Sequence, residues 1–270
     1  MALTYRVLLV LHILAAVAAV VAFWSAAAAS KGSALHVRIG RLFVITMAVL
    51  CVSALIMSAF NIATPAAVHS LDEFRARGAT LGEHTAGKTV GHLVREFRLN
   101  AIWLSYAAVQ LLVALRYGTR VVRTRRISKR ALAVDAALAV LVLAAGLVLT
   151  FVGLRVGHPL ITMFGVMGAF STGRRVVALV RPPRSPMAWW YEHMRTLLGI
   201  GIPLHVTFLL AIGRHLPGPP GPWRVALSGV VILGVPAITM WIHYYRKRFE
   251  SRSPHSHGAT TSQPAATQPA

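Results

Sequence analysis

Seven apolar stretches follow one another along the first 245 residues, at 7–29, 42–60, 98–117, 131–154, 159–180, 187–213 and 225–245. About 20 apolar residues in helical form reach across a bilayer core. Two stretches are weaker. The third has a short apolar centre, 100–115, and spans only if its helix starts near Phe97 and runs to Tyr117. The fifth carries Arg174 and Arg175 in its last turns, which is tolerable if both snorkel to the interface. The pattern predicts an all-α polytopic integral membrane protein, a bundle of seven transmembrane helices in a single domain over residues 1–250.

The polar stretches divide the rest. Between spans two and three lies the only sizeable soluble segment, 61–98, in which 71–77 and 91–98 have the apolar spacing of short interfacial helices. Asn61–Pro65 closes the second helix, and Arg214–Trp223, RHLPGPPGPW, forms a hairpin rather than a helix. Residues 251–270 are Ser, Thr, Pro, Gln and Ala with almost no apolar content, the composition of a disordered tail. Trp189, Trp190, Tyr191, Trp241, Tyr244 and Tyr245 fall at span ends as an aromatic belt.

Composition agrees with the pattern. Hydrophobic residues make up 56% of the chain and charged residues 13%, with a mean hydropathy of +0.63. A soluble domain carries about 25% charged residues. The formal charge of +21 would suggest nucleic acid, but its distribution points elsewhere. Nineteen of the 28 Lys and Arg residues fall on one side, at Lys31–Arg41, Arg116–Arg130, Arg174–Arg184, Arg195 and Arg246–Arg252. The nine on the other side are offset by four of the seven acids. The positive-inside rule then sets the N-terminus outside and the C-terminus and tail in the cytoplasm, with anionic lipid headgroups as cytoplasmic-side partners and no nucleic acid. A cleaved leader is rejected because the first apolar run, 23 residues, exceeds a signal peptide's core and cleavage would reverse the charge logic of every later loop. The single cysteine, Cys51, lies within span two and offers neither a disulfide nor a paired metal site.

Chemistry could reside in the histidines. At 1.5 Å per residue, His12 lies about 8 Å and His205 about 12 Å from the outer ends of their spans, similar depths. His36 precedes span two and His193 opens span six, with His243 at the inner end of span seven. An outer pair and an inner pair of imidazoles is what two haem groups require. Against this, twelve residues separate His193 from His205, an offset of about 120° around one helix axis. They cannot both face one neighbour unless Pro203 twists the chain.

Pro203 and Pro236 interrupt spans six and seven at matching depth, ten and eleven residues from their outer ends. Each frees a backbone carbonyl, and such breaks often line cavities. Asp135 is the one acid within span four; beside Lys129 and Arg130 it reads as an interfacial ion pair, with a proton-coupling role as the alternative. Glu192 shares that ambiguity within Trp190–Arg195, WYEHMR. Span seven has no lysine for a retinal Schiff base, GAFSTG lacks the spacing of an intramembrane serine protease, and neither HExxH nor a P-loop occurs.

The run Lys31–Arg41 (KGSALHVRIGR) leading into span two, Trp190-x-x-His193-Met194 opening span six and Thr207-Phe208 further on together resemble an uncharacterised bacterial multipass family, domain of unknown function 2306. The resemblance covers Val7–Phe60 and Met187–Gly213. It implies membrane placement and a role for His36 and His193, and carries no activity. The 38-residue outer segment and the proline-rich hairpin depart from that pattern.

Three functions follow as expectations for a protein of the bacterial inner membrane. The first is a haem b protein or one linked to a quinone or other redox partner, with His12, His36, His193 and His205 as candidate ligands and His193 and His205 as candidates to bind the iron. The second is a small-solute or proton-coupled transporter with its site at Pro203 and Pro236 and with Asp135 or Glu192 carrying protons. The third is a non-catalytic scaffold.

Overall fold

The computed structural model describes residues 1–69, 90–123, 129–180, 187–213 and 221–250. Among these the chain is helical and contains no strand. The helices are α1 (Ala2–Ala28), α2 (Ala34–Ala63), α3 (Pro65–Val68), α4 (Val90–Arg123), α5 (Lys129–Val156), α6 (Pro159–Val180), α7 (Ala188–Gly213) and α8 (Gly221–Glu250). Six of them, α1, α2 and α4–α7, are long and apolar enough to cross a membrane. The seventh expected span lies within α8, a 30-residue helix. The segment 71–77 and the tail 251–270 fall outside the described residues.

The third span is longer than its apolar centre suggests. Residues 91–98, expected as a separate interfacial helix, are continuous with it in the 34-residue α4. No proline falls between Val90 and Arg123, so nothing in the sequence stops the helix at its charged end. The long α4 and α7 form the middle of the bundle. α4 packs against α2, α5, α6 and α7, whereas α7 packs against α1, α4 and α8. α8 has its one extensive seam, among the described residues, with α7. Large apolar side chains line the outside, including Val10, Leu14 and Val21 on α1 and Leu141, Val148 and Leu154 on α5. A bundle that is apolar on its surface is soluble in lipid rather than water.

The turns are built from local chemistry. At the α1–α2 turn the Lys31 ammonium donates to the carbonyls of Ala26, Ala27 and Ala29, closing the C-terminal end of α1. Desolvation there pulls that ammonium below the ordinary lysine range. Ser33 caps α2 by accepting from the His36 backbone N–H at 3.1 Å. At the α5–α6 turn Gly157 adopts φ +66°, and the His158 N–H reaches back to the Gly153 carbonyl at 2.9 Å, the Schellman arrangement. At the opposite end of α1 from Lys31, Asn61 donates to the Tyr5 hydroxyl at 3.2 Å and bonds His69 at 2.8 Å, tying α1 to the end of α2.

The α5–α6 hairpin is the closest seam. A Cβ added at Gly165 would sit 2.6 Å from the Thr150 backbone nitrogen, and Gly153 meets Thr162 reciprocally. Only glycine lets these backbones approach so nearly, the small-residue packing by which membrane helices associate. Gly165→Ala is therefore expected to cost about 1–3 kcal/mol through forced separation of the seam. Gly40→Ala, where a Cβ would meet nothing within 4 Å, should be neutral or slightly stabilising. Denaturant titration of both variants in detergent micelles checks the contrast.

Candidate functional site

The four candidate histidines do not converge. His12 on α1 bonds Ser53 of α2 through Nδ1 at 3.0 Å. His205 on α7 sits against Phe23 and Trp24, and the Trp24 indole donates to its Nε2 at 2.9 Å. Twelve residues, about 18 Å of helix rise, separate His12 from Trp24, so the expected outer pair is not brought together. The depth argument fails because it takes span ends as level, whereas α7 crosses α1 with its midpoint beside the last turns of α1.

The inner pair fares differently. His36 Nδ1 lies 3.0 Å from the Ala26 carbonyl, and His193 Nδ1 lies 2.8 Å from the Gly118 carbonyl of α4. Carbonyls only accept, so Nδ1 is the donor in both rings. The two rings lie within electrostatic range of each other. Gly118 makes the second bond possible, since a Cβ there would press within 3.0–3.3 Å of Leu197 and Thr196. His193 faces α4 and His205 faces α1, as their angular offset requires.

Charged groups cluster at the same end. Asp135, 2% exposed, pairs with Arg116 at 3.2 Å and with Arg120. The expected ion pair is made, but its partners come across the helix seam from α4. Glu192 pairs with Arg195 one turn further along α7. Arg175 departs from expectation most. Instead of snorkelling it is 7% exposed, stacked 5.4 Å from the Tyr117 ring, and its Nη1 has no hydrogen-bond partner. Arg174, its neighbour, is exposed and rests on Phe170.

These arginines open onto a cavity of about 180 Å³ between α4, α6, α7 and α8. Gln110 and Ala114 of α4 and Ile200, Ile202 and Pro203 of α7 form its buried floor. Phe170, Ser171 and Arg174 of α6 stand on one rim, Val235 and Thr239 of α8 on the other, all exposed. Glu192 and Arg195 lie at its polar end with Arg175. Across the floor Gln110 donates to Ser171 at 2.8 Å. Pro203 has no N–H to give the Gly199 carbonyl, and Gly199 is itself a lining residue with open space beside it. Val235, Ile238 and Thr239 of α8 form the opposite wall. Of the two prolines expected to mark a cavity, Pro203 lines this one and Pro236 is not among its lining residues. Asp135 is not among its lining residues.

Sequence reasoning named Pro203 and Glu192, which line the cavity, but missed Gln110, Ser171 and the burial of Arg175. The available signal was the polar pair Gln110 and Ser171 within apolar spans. Among the described residues no group of three or more His, Cys, Asp or Glu side chains is placed to hold a metal ion. No family model, curated protein or solved structure matches the chain.

Removing the carboxylate of Asp135 leaves two guanidinium groups without their shared counter-charge, a loss of roughly 3–5 kcal/mol for a buried pair. Asp135→Asn should therefore lower the thermal midpoint of the detergent-solubilised protein sharply, with Asp135→Glu falling between. An unchanged midpoint in Asp135→Asn would mean that the clamp contributes nothing.

Proposed function

We propose that the chain crosses a bacterial inner membrane seven times, N-terminus outside and C-terminus in the cytoplasm, and that it binds and moves a small solute through the α4–α6–α7–α8 cavity. The basic clusters support the orientation, because all the strongly positive connections then share the cytoplasmic side. The length of α8, about 45 Å at 1.5 Å per residue, supports its being the seventh span. One observation carries the functional reading. The cavity lies between α4, α6 and the two proline-bearing helices α7 and α8, with Pro203 in its wall, and helix breaks of this kind line substrate sites in transporters. Glu192, the acid on the cavity wall, carries the coupling proton in this reading.

A second reading is favoured by the inner histidines. A haem b would be held by the imidazoles of His36 and His193, whose Nδ1 atoms are oriented by carbonyls, and would supply electron transfer to a quinone or another membrane protein. The family resemblance points to the same two residues. A reduced-minus-oxidised absorbance spectrum of protein purified from haem-replete cells decides this reading. Sharp α and β bands, lost in His36→Ala and His193→Ala, support it, and a featureless spectrum removes it.

Single-cysteine variants in a Cys51→Ser background test the leading reading. A membrane-impermeant maleimide should label Thr85→Cys in intact cells, and Thr124→Cys and Ser251→Cys only after lysis; the reverse pattern would overturn the orientation. Thr196→Cys, on the cavity wall, should react with a small polar thiol reagent, whereas Ala139→Cys, fully buried on α5, should not. Equal protection of both would remove the cavity as a solute path.

A further inference from the structure

Arg175 is the most demanding side chain in the bundle. A guanidinium stays protonated under all ordinary conditions, and burying one costs several kcal/mol unless an anion meets it. Here the contacts are a tyrosine face and one N–H group that finds no acceptor. The nearest carboxylate on the cavity wall, Glu192, is already engaged by Arg195. Three arginines therefore share the cavity with a single acid, and the one with an unmet N–H is 93% buried by the same measure that leaves it 7% exposed. Such a site is built to receive negative charge.

The remainder of the cavity is of another kind. Beyond the arginines its lining is mainly apolar, with Phe164, Met167, Ile200, Ile202 and Ile238, broken by the Gln110–Ser171 pair and by Thr196 and Thr239. From Glu192 to Pro203 along α7, and from Phe164 to Arg175 along α6, it extends about 16 Å. The polar end and the apolar length lie in line, which suits neither a free inorganic anion nor an uncharged hydrocarbon.

The way in is lateral. α6 packs on α5 and α4, α8 packs on α7, and among the described residues the two share no extensive seam, although both line the cavity. Their facing residues Phe170, Val235 and Thr239 are exposed, and Val166, Leu233 and Met240 continue an apolar surface on either side. In a membrane this gap faces acyl chains rather than water.

Building on the solute-binding reading, we propose that the substrate is a single-chain anionic lipid, an acyl chain bearing a carboxylate or phosphate head. It enters sideways between α6 and α8 and seats its head on Arg175, with Arg174 and Arg195 adding attraction from the rim. The chain lies along the apolar floor towards Pro203. Gly199, with no side chain and open space beside it, keeps the passage between the two ends clear.

The test uses the full chain in phosphatidylcholine nanodiscs and a diazirine-bearing dodecanoic acid, with cross-links mapped by mass spectrometry. Labelling is expected on α6 and α8 at the cavity, and dodecanoate should compete at least tenfold better than dodecanol. Dodecyl phosphate as a second competitor separates the two head chemistries: whichever anion competes better identifies the source. Arg175→Gln should reduce specific labelling tenfold or more. Because that variant removes a buried group, Thr239→Trp, which fills the cavity from an exposed position, is expected to give the same loss in a normally folded protein. Competition by dodecanol equal to dodecanoate, or by inorganic phosphate or acetate equal to either, overturns the proposal. So does labelling that maps away from the cavity or survives Thr239→Trp. Thiol reactivity at Thr196→Cys without specific lipid labelling removes only the lipid assignment, whereas loss of that reactivity removes the solute path itself.

Discussion

Lipid gives helices no hydrophobic reward for leaving it, because acyl chains are as apolar as leucine side chains. The bundle must therefore be held by close backbone approach and by polar groups that have no other partner. Both devices are visible, and they are unevenly distributed. The α5–α6 hairpin relies on reciprocal Gly–Thr contacts at Gly153–Thr162 and Gly165–Thr150. The α4–α5 seam has the Asp135 ion pairs, and the α4–α7 seam has the bond from His193 to the Gly118 carbonyl. α8 has an aromatic seam on α7, where Trp190 meets Tyr245 and where Tyr191, Met194 and Ile242 are buried. Residues expected to be an interfacial belt are thus in part the contact that holds the last helix.

That distribution explains where the cavity lies. The α5–α6 pair is fastened to the bundle through α4, and α8 is fastened through α7, with no extensive seam between α6 and α8 among the described residues. The gap falls between the two fastenings. Pro203 of α7 stands in its wall, and a helix that has lost a backbone bond does not pack as a smooth rod. Function and assembly are linked in this respect: a pair of small residues joining α6 to α8 would close the bundle and remove the site.

Much of the architecture was legible because length and apolarity are local properties. The spans at 7–29, 42–60, 131–154, 159–180 and 187–213 each fall within an observed helix or extend it by one residue. The third span was harder, since charged residues at its ends mask a helix that no proline interrupts. Pairing across seams was not legible. Lys129 and Arg130 lie closest to Asp135 in sequence, but Arg116 and Arg120 reach it because α4 and α5 run side by side. Arg175 was read as snorkelling because it lies near a span end, and only the Tyr117 ring on another helix shows that it points inward. The histidine depths failed for the same reason, since distance along each helix carries no information about how two helices are offset. Pro203 could be singled out from the sequence, since a missing N–H is a property of the residue alone.

The account rests on an open gap between α6 and α8 that ends at a buried guanidinium awaiting an anion. An electron-microscopy map of the native protein in nanodiscs, at a resolution that shows side chains, addresses this most directly. The account predicts α6 and α8 held apart with elongated density between them, its rounded end against Arg175. A map with α8 closed onto α6 and Arg175 paired to a protein carboxylate would contradict it.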